Sequence, residues 1–169
     1  KYIDVIVPRG GKSLVSKVQK FSNIHVIGHL EGLCHIYLDK NCNLKEAIKI
    51  ILNAKLRRTS ICGAAETLLI NEKILRSKGK LVIESLIKNN CEVRVDNKIN
   101  KIFNHRLKRA IGKDWKTEYL DKIISVKTVK DVSAAVSHIL KFGTMHTDCI
   151  ITNNKKNAKF FIQNVNSSI

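Results

Sequence analysis

One cysteine has neighbours that suit covalent chemistry. Cys62 lies in the run RRTSICGAAETLLI, at positions 57–70, after two arginines and before a series of small residues. A thiolate attacks carbonyl carbon, and nearby cations or unpaired backbone N–H groups lower the pKa of a cysteine toward neutrality. Arg57 and Arg58 are the candidate cations, and the small residues around Gly63 leave room for a substrate. A buried structural thiol is the competing interpretation, because cysteines are common in protein cores.

The other four cysteines lack this setting. Cys34 and Cys149 begin apolar runs and are interpreted as core residues, whereas Cys42 and Cys91 lie in asparagine-rich turns. The five cysteines form no CxxC pair and are odd in number, which argues against a disulfide framework and against a zinc knuckle. This cysteine usage fits a reducing cytoplasm best.

Three histidines, His25, His29 and His35, lie close together in the sequence. The HExxH pattern of many zinc enzymes is absent. Alternating residues of a strand point to opposite faces, so this spacing predicts separate environments for the three rings. No metal site is predicted.

A second candidate for chemistry is the loop PRGGKS, at positions 8–13, which follows the opening apolar run. Gly10 and Gly11 would let backbone N–H groups approach a phosphate closely, and Arg9 or Lys12 would add positive charge. The loop does not match the P-loop pattern GxxxxGK[ST], because the first glycine of that pattern is missing. An ordinary strand-to-helix turn capped by Ser13 explains the same residues equally well.

The bulk composition is that of a globular protein. The chain has 169 residues, of which 44% are hydrophobic and 27% are charged. This length holds one domain with a real core, and no apolar run is long enough to span a membrane. The first ten residues, KYIDVIVPRG, do not resemble a secretory signal. They lack an initial methionine and begin within an apparent core strand, so we expect the chain to be a piece of a longer protein.

The net charge of +17 raises the question of nucleic-acid binding. The lysines are spread along the whole chain, and aromatic residues make up only 5% of it. A nucleic-acid site would need a clustered basic stripe with aromatic platforms on which bases stack. Solvated lysine-rich surfaces therefore explain the charge better, and nucleic-acid binding is kept as a lesser alternative.

Apolar, β-branched runs bounded by Gly, Asn or Asp predict seven strands. They lie at positions 2–7, 24–27, 35–38, 66–70, 92–95, 123–129 and 148–152. Amphipathic helices are predicted between several of them. Near-continuous apolar strands that alternate with such helices indicate an α/β fold, with a mainly parallel, open sheet covered by helices on both faces. Sheets of this kind bind ligands at the carboxyl ends of their strands, and we expect both candidate loops to lie there.

Three helices are predicted from apolar residues at helical spacing. Asn43 and Glu46 resemble a capping box at the start of a helix over 44–56. A second helix begins at Asp131, and Gly143 stands where a left-handed residue after the helix is expected. The residues expected to face the core are Leu44, Ala47, Ile48, Ile51 and Leu52 in the first helix, Val132, Ala135, Val136, Ile139 and Leu140 in the second, and Phe161, Ile162 and Val165 in the third, over 157–165.

Six stretches, in unbroken order, together resemble one enzyme family. They are KYIDVIVPRGG (1–11), VIGHLEGLCHIYLD (26–39), NAK (53–55), RRTSICGAAETLLI (57–70), DWKTEYLDKIISVKTV (114–129) and GTMHTDCIIT (143–152). They are similar to the γ-glutamyl phosphate reductase family of the aldehyde dehydrogenase superfamily. The resemblance implies the catalytic-domain fold of that superfamily. It also implies NADPH-dependent reduction of L-glutamyl 5-phosphate to L-glutamate 5-semialdehyde, in proline biosynthesis.

Residue by residue, the resemblance assigns Cys62 to the family's catalytic cysteine. It implies attack of the thiolate on the acyl phosphate, loss of phosphate and hydride transfer to the thioester, with a backbone N–H at or beside Cys62 as oxyanion donor. Arg58 is implied as a contact for phosphate or carboxylate, with a solvated helix end as the alternative. His146 falls in a matching motif, which a turn-stabilising role explains equally well. The implied NADP contacts are Arg9, Gly10 and Gly11.

One position differs from the aldehyde-oxidising members of the superfamily. Their water-activating glutamate aligns with Gly28 in this chain, and a reductase that uses an acyl phosphate needs no such water. Glu31 lies nearby, where the hydrolytic enzymes carry glycine, and it is not assigned as a base.

The family's chains are more than twice as long as this one. Residues 1–30 are therefore interpreted as the remnant of a cofactor-binding domain, and 31–169 as a catalytic domain that is truncated at its C-terminus. We expect this chain alone to be inactive as an NADPH-dependent reductase, and the full-length family implies a possible homo-oligomer. The resemblance lapses over the basic segment 97–113, which is expected to be a variable surface excursion. The alternative function is a non-catalytic remnant or an interaction module of the same fold.

Overall fold

The computed structural model describes residues 2–169, and it contains two parallel sheets. The small sheet pairs β1 (Val5–Ile6) with β2 (His25–Val26). The strands of the main sheet are β3 (Cys34–Leu38), β4 (Ala65–Asn71), β5 (Glu92–Val95), β6 (Lys108–Arg109), β7 (Ile123–Val129) and β8 (Asp148–Ile151). Their order across the sheet is β6, β5, β7, β4, β3, β8, and every neighbouring pair is parallel. The prediction of a mainly parallel sheet is confirmed.

Helices cover both faces of the main sheet, and another helix, α1 (Lys12–Phe21), connects the two strands of the small sheet. The helices on the main sheet are α2 (Leu44–Leu56), α3 (Lys80–Lys88), α4 (Asn97–Ile102), α5 (Val132–Phe142) and α6 (Lys155–Asn164). In β3, Ile36 and Leu38 pack with α2 and α3, whereas Tyr37 points to the other face and packs with α5 and α6. This alternation is the period of two expected of a strand. The two clusters of buried residues therefore form one core on each face.

The helix starts agree with the sequence pattern, except that Glu46 does not complete the capping box: its Oε1 accepts from Lys49 Nζ at 3.3 Å. Asn43 Oδ1 accepts a hydrogen bond from Glu46 N at 3.2 Å, and Asp131 Oδ1 accepts one from Ala134 N at 2.9 Å. Each bond satisfies one of the backbone donors that a helix leaves free in its first turn. The pattern missed α3 and α4 altogether.

The helix predictions were wrong at three residues, Leu140, Ile162 and Gly143. Leu140 and Ile162 were expected to face the core, but their side chains are 55% and 73% exposed. His138 is buried instead, because it packs against the rings of Trp115 and Phe142. Gly143 is not left-handed: it ends α5 with an extended backbone, at a φ of −69° and a ψ of 164°.

Gly143 is needed there for a different reason. A Cβ built on it would lie 2.7 Å from the carbonyl oxygen of Ile139, which is closer than real side-chain carbons approach backbone oxygen. The Gly143 N–H donates to that same oxygen at 2.7 Å. Close approach to the last turn of the helix, rather than a left-handed turn, therefore favours glycine.

The opening apolar run is not a core strand of the main sheet. Only Val5–Ile6 is extended and paired, and the small sheet to which it belongs has two short strands. Most apolar side chains of this run are exposed, Tyr2 at 98% and Val7 at 72%. The other described residues provide no layer that would cover them. Lys1, the first residue of the predicted unit 1–30, lies outside the described residues.

The basic segment 97–113 is more than a surface excursion. It contains α4, whose Ile99 is fully buried in the core, and β6, which adds an edge strand to the main sheet. Just after it, the buried carboxylate of Asp114 accepts hydrogen bonds from Arg94 Nη1 at 2.7 Å and from Tyr119 Oη at 2.8 Å. The segment is therefore part of the fold, and its lysines occupy the solvent side.

Candidate active site

Cys62 lies in a tight turn between α2 and β4. Ala64 N donates to the carbonyl oxygen of Ile61 at 3.0 Å, which closes the turn over residues 61–64 and places Cys62 at its second position. The side chain of Cys62 is exposed. An exposed thiol in a turn is open to a substrate, so the interpretation of Cys62 as a buried structural thiol was wrong.

The turn lies at the amino end of β4, not at a carboxyl end as we expected. The reason is topological: a loop that runs from a helix into a parallel strand lies at the edge where the strands begin. The expectation that a site lies at the carboxyl ends of parallel strands applies instead to the small sheet. The connection from β2 to β3, residues 27–33, leaves the carboxyl end of β2 and contacts the Cys62 turn. The candidate site therefore lies between the carboxyl-end edge of the small sheet and the amino-end edge of the main sheet.

Gly32 is the contact point between these two loops. A Cβ built on Gly32 would lie 1.9 Å from the carbonyl oxygen of Cys62 and 2.9 Å from its Cα. Only glycine leaves room for this approach of two backbones. The N–H of Gly32 donates to Glu118 Oε1 at 2.9 Å, so the loop before β7 also reaches the site.

Cys34 lies beneath the turn. Its buried Sγ donates to the carbonyl oxygen of Cys62 at 3.1 Å. Burial raises the pKa of the Cys34 thiol to about 12. The thiol therefore keeps its proton at neutral pH and remains a hydrogen-bond donor.

The loop before β8 closes the site from a third side. Leu33 N donates to Thr144 Oγ1 at 3.0 Å, and the rings of His29 and His146 meet edge to face with 4.8 Å between their centroids. Burial, followed by the nearby His29, lowers the pKa of His146. The ring Nδ1 of His146 lies 2.8 Å from Thr147 Oγ1. These contacts hold the GTMHTD turn in place and support the turn-stabilising role predicted for His146.

The arginine candidates lie around the site but are not bonded to Cys62. Arg57 is the residue that ends α2, and Arg58 follows it; both are exposed. Among residues 2–169, Arg58 has no hydrogen-bond or ion-pair partner in the protein. Its guanidinium is therefore available to an external anion, as it would also be on a solvated helix end.

The PRGG turn lies at the carboxyl end of β1. Arg9, Gly10 and Gly11 are exposed, and Gly11 is the residue from which α1 begins. No side chain caps this helix, so Ser13 does not take the capping role considered for it. Nearby, Lys12 Nζ pairs with Glu31 Oε1 of the connection from β2 to β3. The helix start therefore presents uncapped N–H groups, and an ion pair links it to the loop that contacts Cys62.

The structure brings no metal-binding set together. Within residues 2–169, no group of three or more His, Cys, Asp or Glu side chains is placed to hold a metal ion. His25 and His29 are exposed, whereas His35 is buried and its Nδ1 lies 2.8 Å from Asp148 Oδ1. The three histidines therefore have separate environments, as predicted.

No helix within residues 2–169 is long and apolar enough to cross a membrane.

Four residues of the site were missed by the sequence reasoning. They are Gly32, Cys34, Glu118 and Thr144, and each lies inside a stretch that the resemblance covers. Composition and spacing assigned them no role at the site, because each makes its contact at the site with a residue far away in the sequence. The one available signal was a glycine two residues before a buried strand, since glycine is favoured where two backbones approach closely.

Known proteins resemble this chain along almost its whole length. A γ-glutamyl phosphate reductase from Parvibaculum lavamentivorans is 50% identical over 167 residues, which are 99% of this chain and 39% of the relative. The crystal structure of γ-glutamyl phosphate reductase from Thermotoga maritima superposes with a TM-score of 0.95 at 40% identity, covering 98% of this chain and 40% of that one. The chain thus spans about two fifths of the length of the proteins it matches. No protein-family model matches it.

A more distant structure extends the likeness of the fold. Propionaldehyde dehydrogenase from Rhodopseudomonas palustris superposes with a TM-score of 0.71 at 14% identity, covering 99% of this chain and 45% of that one. At that identity the likeness concerns the fold alone. The α/β fold of this chain is therefore the fold of aldehyde dehydrogenase-like enzymes, as predicted.

Proposed function

Because this chain is homologous, over nearly its whole length, to one part of the γ-glutamyl phosphate reductases, we propose that Cys62 is the nucleophile of an acyl-phosphate reductase. The proposed reaction reduces L-glutamyl 5-phosphate to L-glutamate 5-semialdehyde, in proline biosynthesis. The observation that carries the proposal is the exposed thiol in a tight turn at the junction of the two sheets. The reductase relatives at 50% and 40% identity support the choice of substrate.

The first step is acyl transfer to sulfur. The Cys62 thiolate forms a bond to the acyl carbon, the bond from that carbon to the phosphate oxygen breaks, and inorganic phosphate leaves. Negative charge develops on the acyl oxygen as the sulfur attacks. In residues 2–169, the N–H groups of Cys62 and Gly63 have no acceptor in the protein, so they are available to that oxygen. We assign Arg58 to the phosphate or the carboxylate of the substrate, because its guanidinium is exposed and unpaired.

The candidate cofactor site fits the phosphate part of a dinucleotide. The uncapped start of α1 offers backbone N–H groups, a Cβ on Gly11 would meet no atom within 4 Å, and Arg9 is exposed beside it. Anions bind at helix starts of this kind. Arg9, Gly10 and Gly11 would therefore hold a phosphate of NADPH. When bound, NADPH would supply the hydride that takes the thioester to the aldehyde level.

The cellular setting is also a proposal. All five cysteines are free, including the exposed Cys62. Free thiols of this kind fit the reducing cytoplasm. We keep the division into a cofactor-side unit, 1–30, and a catalytic unit, 31–169, because the small and main sheets lie on either side of that boundary. A homo-oligomer is proposed for the full-length enzyme.

Acyl-enzyme formation tests the proposal without any cofactor. The chain is incubated with acetyl phosphate, and the released phosphate, the protein mass and the modified peptide are measured. We expect one acetyl group on Cys62, which neutral hydroxylamine removes as it does a thioester. The variant Cys62→Ser is the control for acetylation of lysines. Compared with the wild type, it should lack only the acetyl group that hydroxylamine removes. A wild-type chain that releases no phosphate and carries no such adduct would contradict the proposal.

The alternative is a non-catalytic remnant or an interaction module of the same fold. It requires that Cys62 be no more reactive than an ordinary exposed thiol. The acetyl phosphate experiment separates the two functions, since an unactivated thiol on an inert surface would not accumulate a thioester.

A further inference from the structure

We propose that Gly32 and Cys34 are positioning residues that hold the peptide unit between Cys62 and Gly63 in the orientation that acyl transfer requires. The inference rests on the proposed function, because it needs Cys62 to be the nucleophile. It concerns two residues that contact the backbone of Cys62.

Gly32 sets how closely the turn can approach the main sheet. A Cβ at position 32 would lie 1.9 Å from the Cys62 carbonyl oxygen and 2.6 Å from its carbonyl carbon. These are backbone atoms, so the overlap could be relieved only by moving the turn itself. The N–H of Gly32 also donates to Glu118 Oε1 at 2.9 Å. This hydrogen bond opposes movement of Gly32 away from the turn.

Cys34 sets the direction of the same carbonyl. Its thiol donates to the Cys62 carbonyl oxygen at 3.1 Å, from a side chain that is 3% exposed. Cys34 is the first residue of β3 and pairs with Ala65 of β4, just before an irregularity in the register between Cys34 and His35, so the donor is tied to the strand that follows the Cys62 turn. Gly32 therefore makes room for the carbonyl, and Cys34 fixes its direction.

The consequence concerns the other end of the peptide unit. The Cys62 carbonyl and the Gly63 N–H belong to one planar trans peptide, so they point in opposite directions. With the carbonyl directed toward Cys34, the Gly63 N–H points away from it. In residues 2–169 no acceptor bonds to that N–H, and a Cβ on Gly63 would meet no atom within 4 Å. A fixed, free N–H beside an exposed nucleophile is suited to a developing oxyanion.

The test compares two reactions of Cys62 in the full 169-residue chain. Acylation by acetyl phosphate develops an oxyanion, whereas alkylation by iodoacetamide proceeds at a saturated carbon and does not. A change that merely disturbs the thiol slows both reactions, while a misdirected peptide slows acylation selectively. We expect Cys34→Ala to lower the acylation rate constant by about tenfold or more and to leave the alkylation rate constant nearly unchanged.

Three further variants sharpen the comparison. Cys34→Ser keeps a donor and should recover most of the acylation rate that Cys34→Ala loses. Gly32→Ala should lower acylation further than Cys34→Ala does, because it displaces the turn. Gly112→Ala is the matched control: position 112 is exposed, a Cβ there meets no atom within 4 Å, and both rates should equal those of the wild type.

The outcomes are distinct. The inference would be overturned if Cys34→Ala acylated at the wild-type rate, or if it lost acylation and alkylation equally. It would also be overturned if Cys34→Ser did not recover the acylation rate that Cys34→Ala loses. If circular dichroism shows that Gly32→Ala does not fold, the two Cys34 variants decide alone. A wild-type chain that forms no thioester on Cys62 would contradict the proposed function and the inference with it. A wild-type chain that forms the thioester, but no faster than Cys34→Ala does, would contradict the inference alone.

Discussion

Lys55 Nζ lies 2.7 Å from Glu66 Oε2, and both side chains are buried, at 0% and 1% exposure. Lys55 lies in the last turn of α2, and Glu66 is the second residue of β4, so the ion pair joins the two ends of the loop that carries Cys62. The other carboxylate oxygen of Glu66 accepts the N–H of Leu120 at 3.3 Å. The pair therefore anchors the Cys62 loop and links it to the loop before β7.

Removing one member of this pair should be costly. Lys55→Met leaves the carboxylate of Glu66 buried without its counter-charge, and we expect the free energy of unfolding to fall by roughly 3–5 kcal/mol. The double variant Lys55→Met/Glu66→Leu removes both charges and should be more stable than the single one. Urea unfolding followed by circular dichroism measures both.

A matched control lies in the same helix. Lys49 pairs with Glu46 at 3.3 Å, but both side chains are more than half exposed. Lys49→Met should therefore cost less than about 1 kcal/mol. Equal losses in Lys49→Met and Lys55→Met would show that the buried pair has no special role.

The fold was largely predictable because its signals are local. The apolar runs of β3, β4 and β7 and the cap residue Asn43 each specify an element through neighbours in the sequence, and the structure has them within a residue or two. Faces were harder to predict. The helical period predicts that Leu140 faces the core, whereas the structure exposes Leu140 and buries His138. Trp115 packs on His138, and a helical period cannot record that contact between separate segments.

The site was less predictable because it is assembled from distant stretches. Cys62 was predicted as the nucleophile from its local neighbours and from the resemblance. The overlap that a Cβ on Gly32 would create involves a residue 30 positions away, and no periodicity records such a contact. The same holds for the hydrogen bond from Leu33 to Thr144, which lie 111 positions apart.

Acid should destabilise the protein through His138. Burial, followed by the charges of Lys127, His35 and Lys141, lowers the pKa of His138 to about 3. In the unfolded chain a histidine binds a proton below about pH 6.5. Between these values the unfolded state holds more protons, so the free energy of unfolding falls as the pH is lowered from about 6.5 toward 3. Urea unfolding across this range should show a steeper slope for the wild type than for His138→Leu, and equal slopes would contradict the assignment.

Cys62 should react with alkylating agents before the other four cysteines. Burial raises the pKa of Cys34 to about 12 and of Cys91 to about 11, and it also raises the pKa values of Cys42 and Cys149. Thiolates are the reactive species, so these four should react slowly in the folded chain at pH 8. Peptide mass spectrometry after brief treatment with iodoacetamide should find the label at Cys62.

Exposure alone would place Cys62 first, so a second measurement is needed to detect activation. The rate constant for Cys62 in the folded chain is compared with that for the same residue in urea at the same pH. An activated nucleophile reacts faster when folded, whereas a surface thiol of an inert remnant reacts no faster. The variant Arg58→Gln tests whether the exposed guanidinium contributes to any difference.

The chain alone should form the thioester but not reduce it. Within residues 2–169, the proposed cofactor-side unit consists of α1 and one pair of two-residue strands, whereas dinucleotide-binding folds are built on sheets of several parallel strands. The PRGG turn would bind a phosphate without holding the nicotinamide over Cys62. We therefore expect no loss of NADPH absorbance at the wavelength of the reduced nicotinamide when NADPH is added to the acetylated chain, and the acyl group should stay on Cys62.

A chimera supplies the positive control. The chain replaces the matching two fifths of the Thermotoga maritima reductase, with which it superposes at a TM-score of 0.95. This chimera should oxidise NADPH with L-glutamyl 5-phosphate, and the substitution Cys62→Ser should abolish that activity while leaving the fold intact. NADPH oxidation by the 169-residue chain alone would contradict the prediction, because it would mean that α1 and the small sheet suffice to place a hydride donor. An inactive but folded chimera would instead argue that this stretch has lost the chemistry of its relatives.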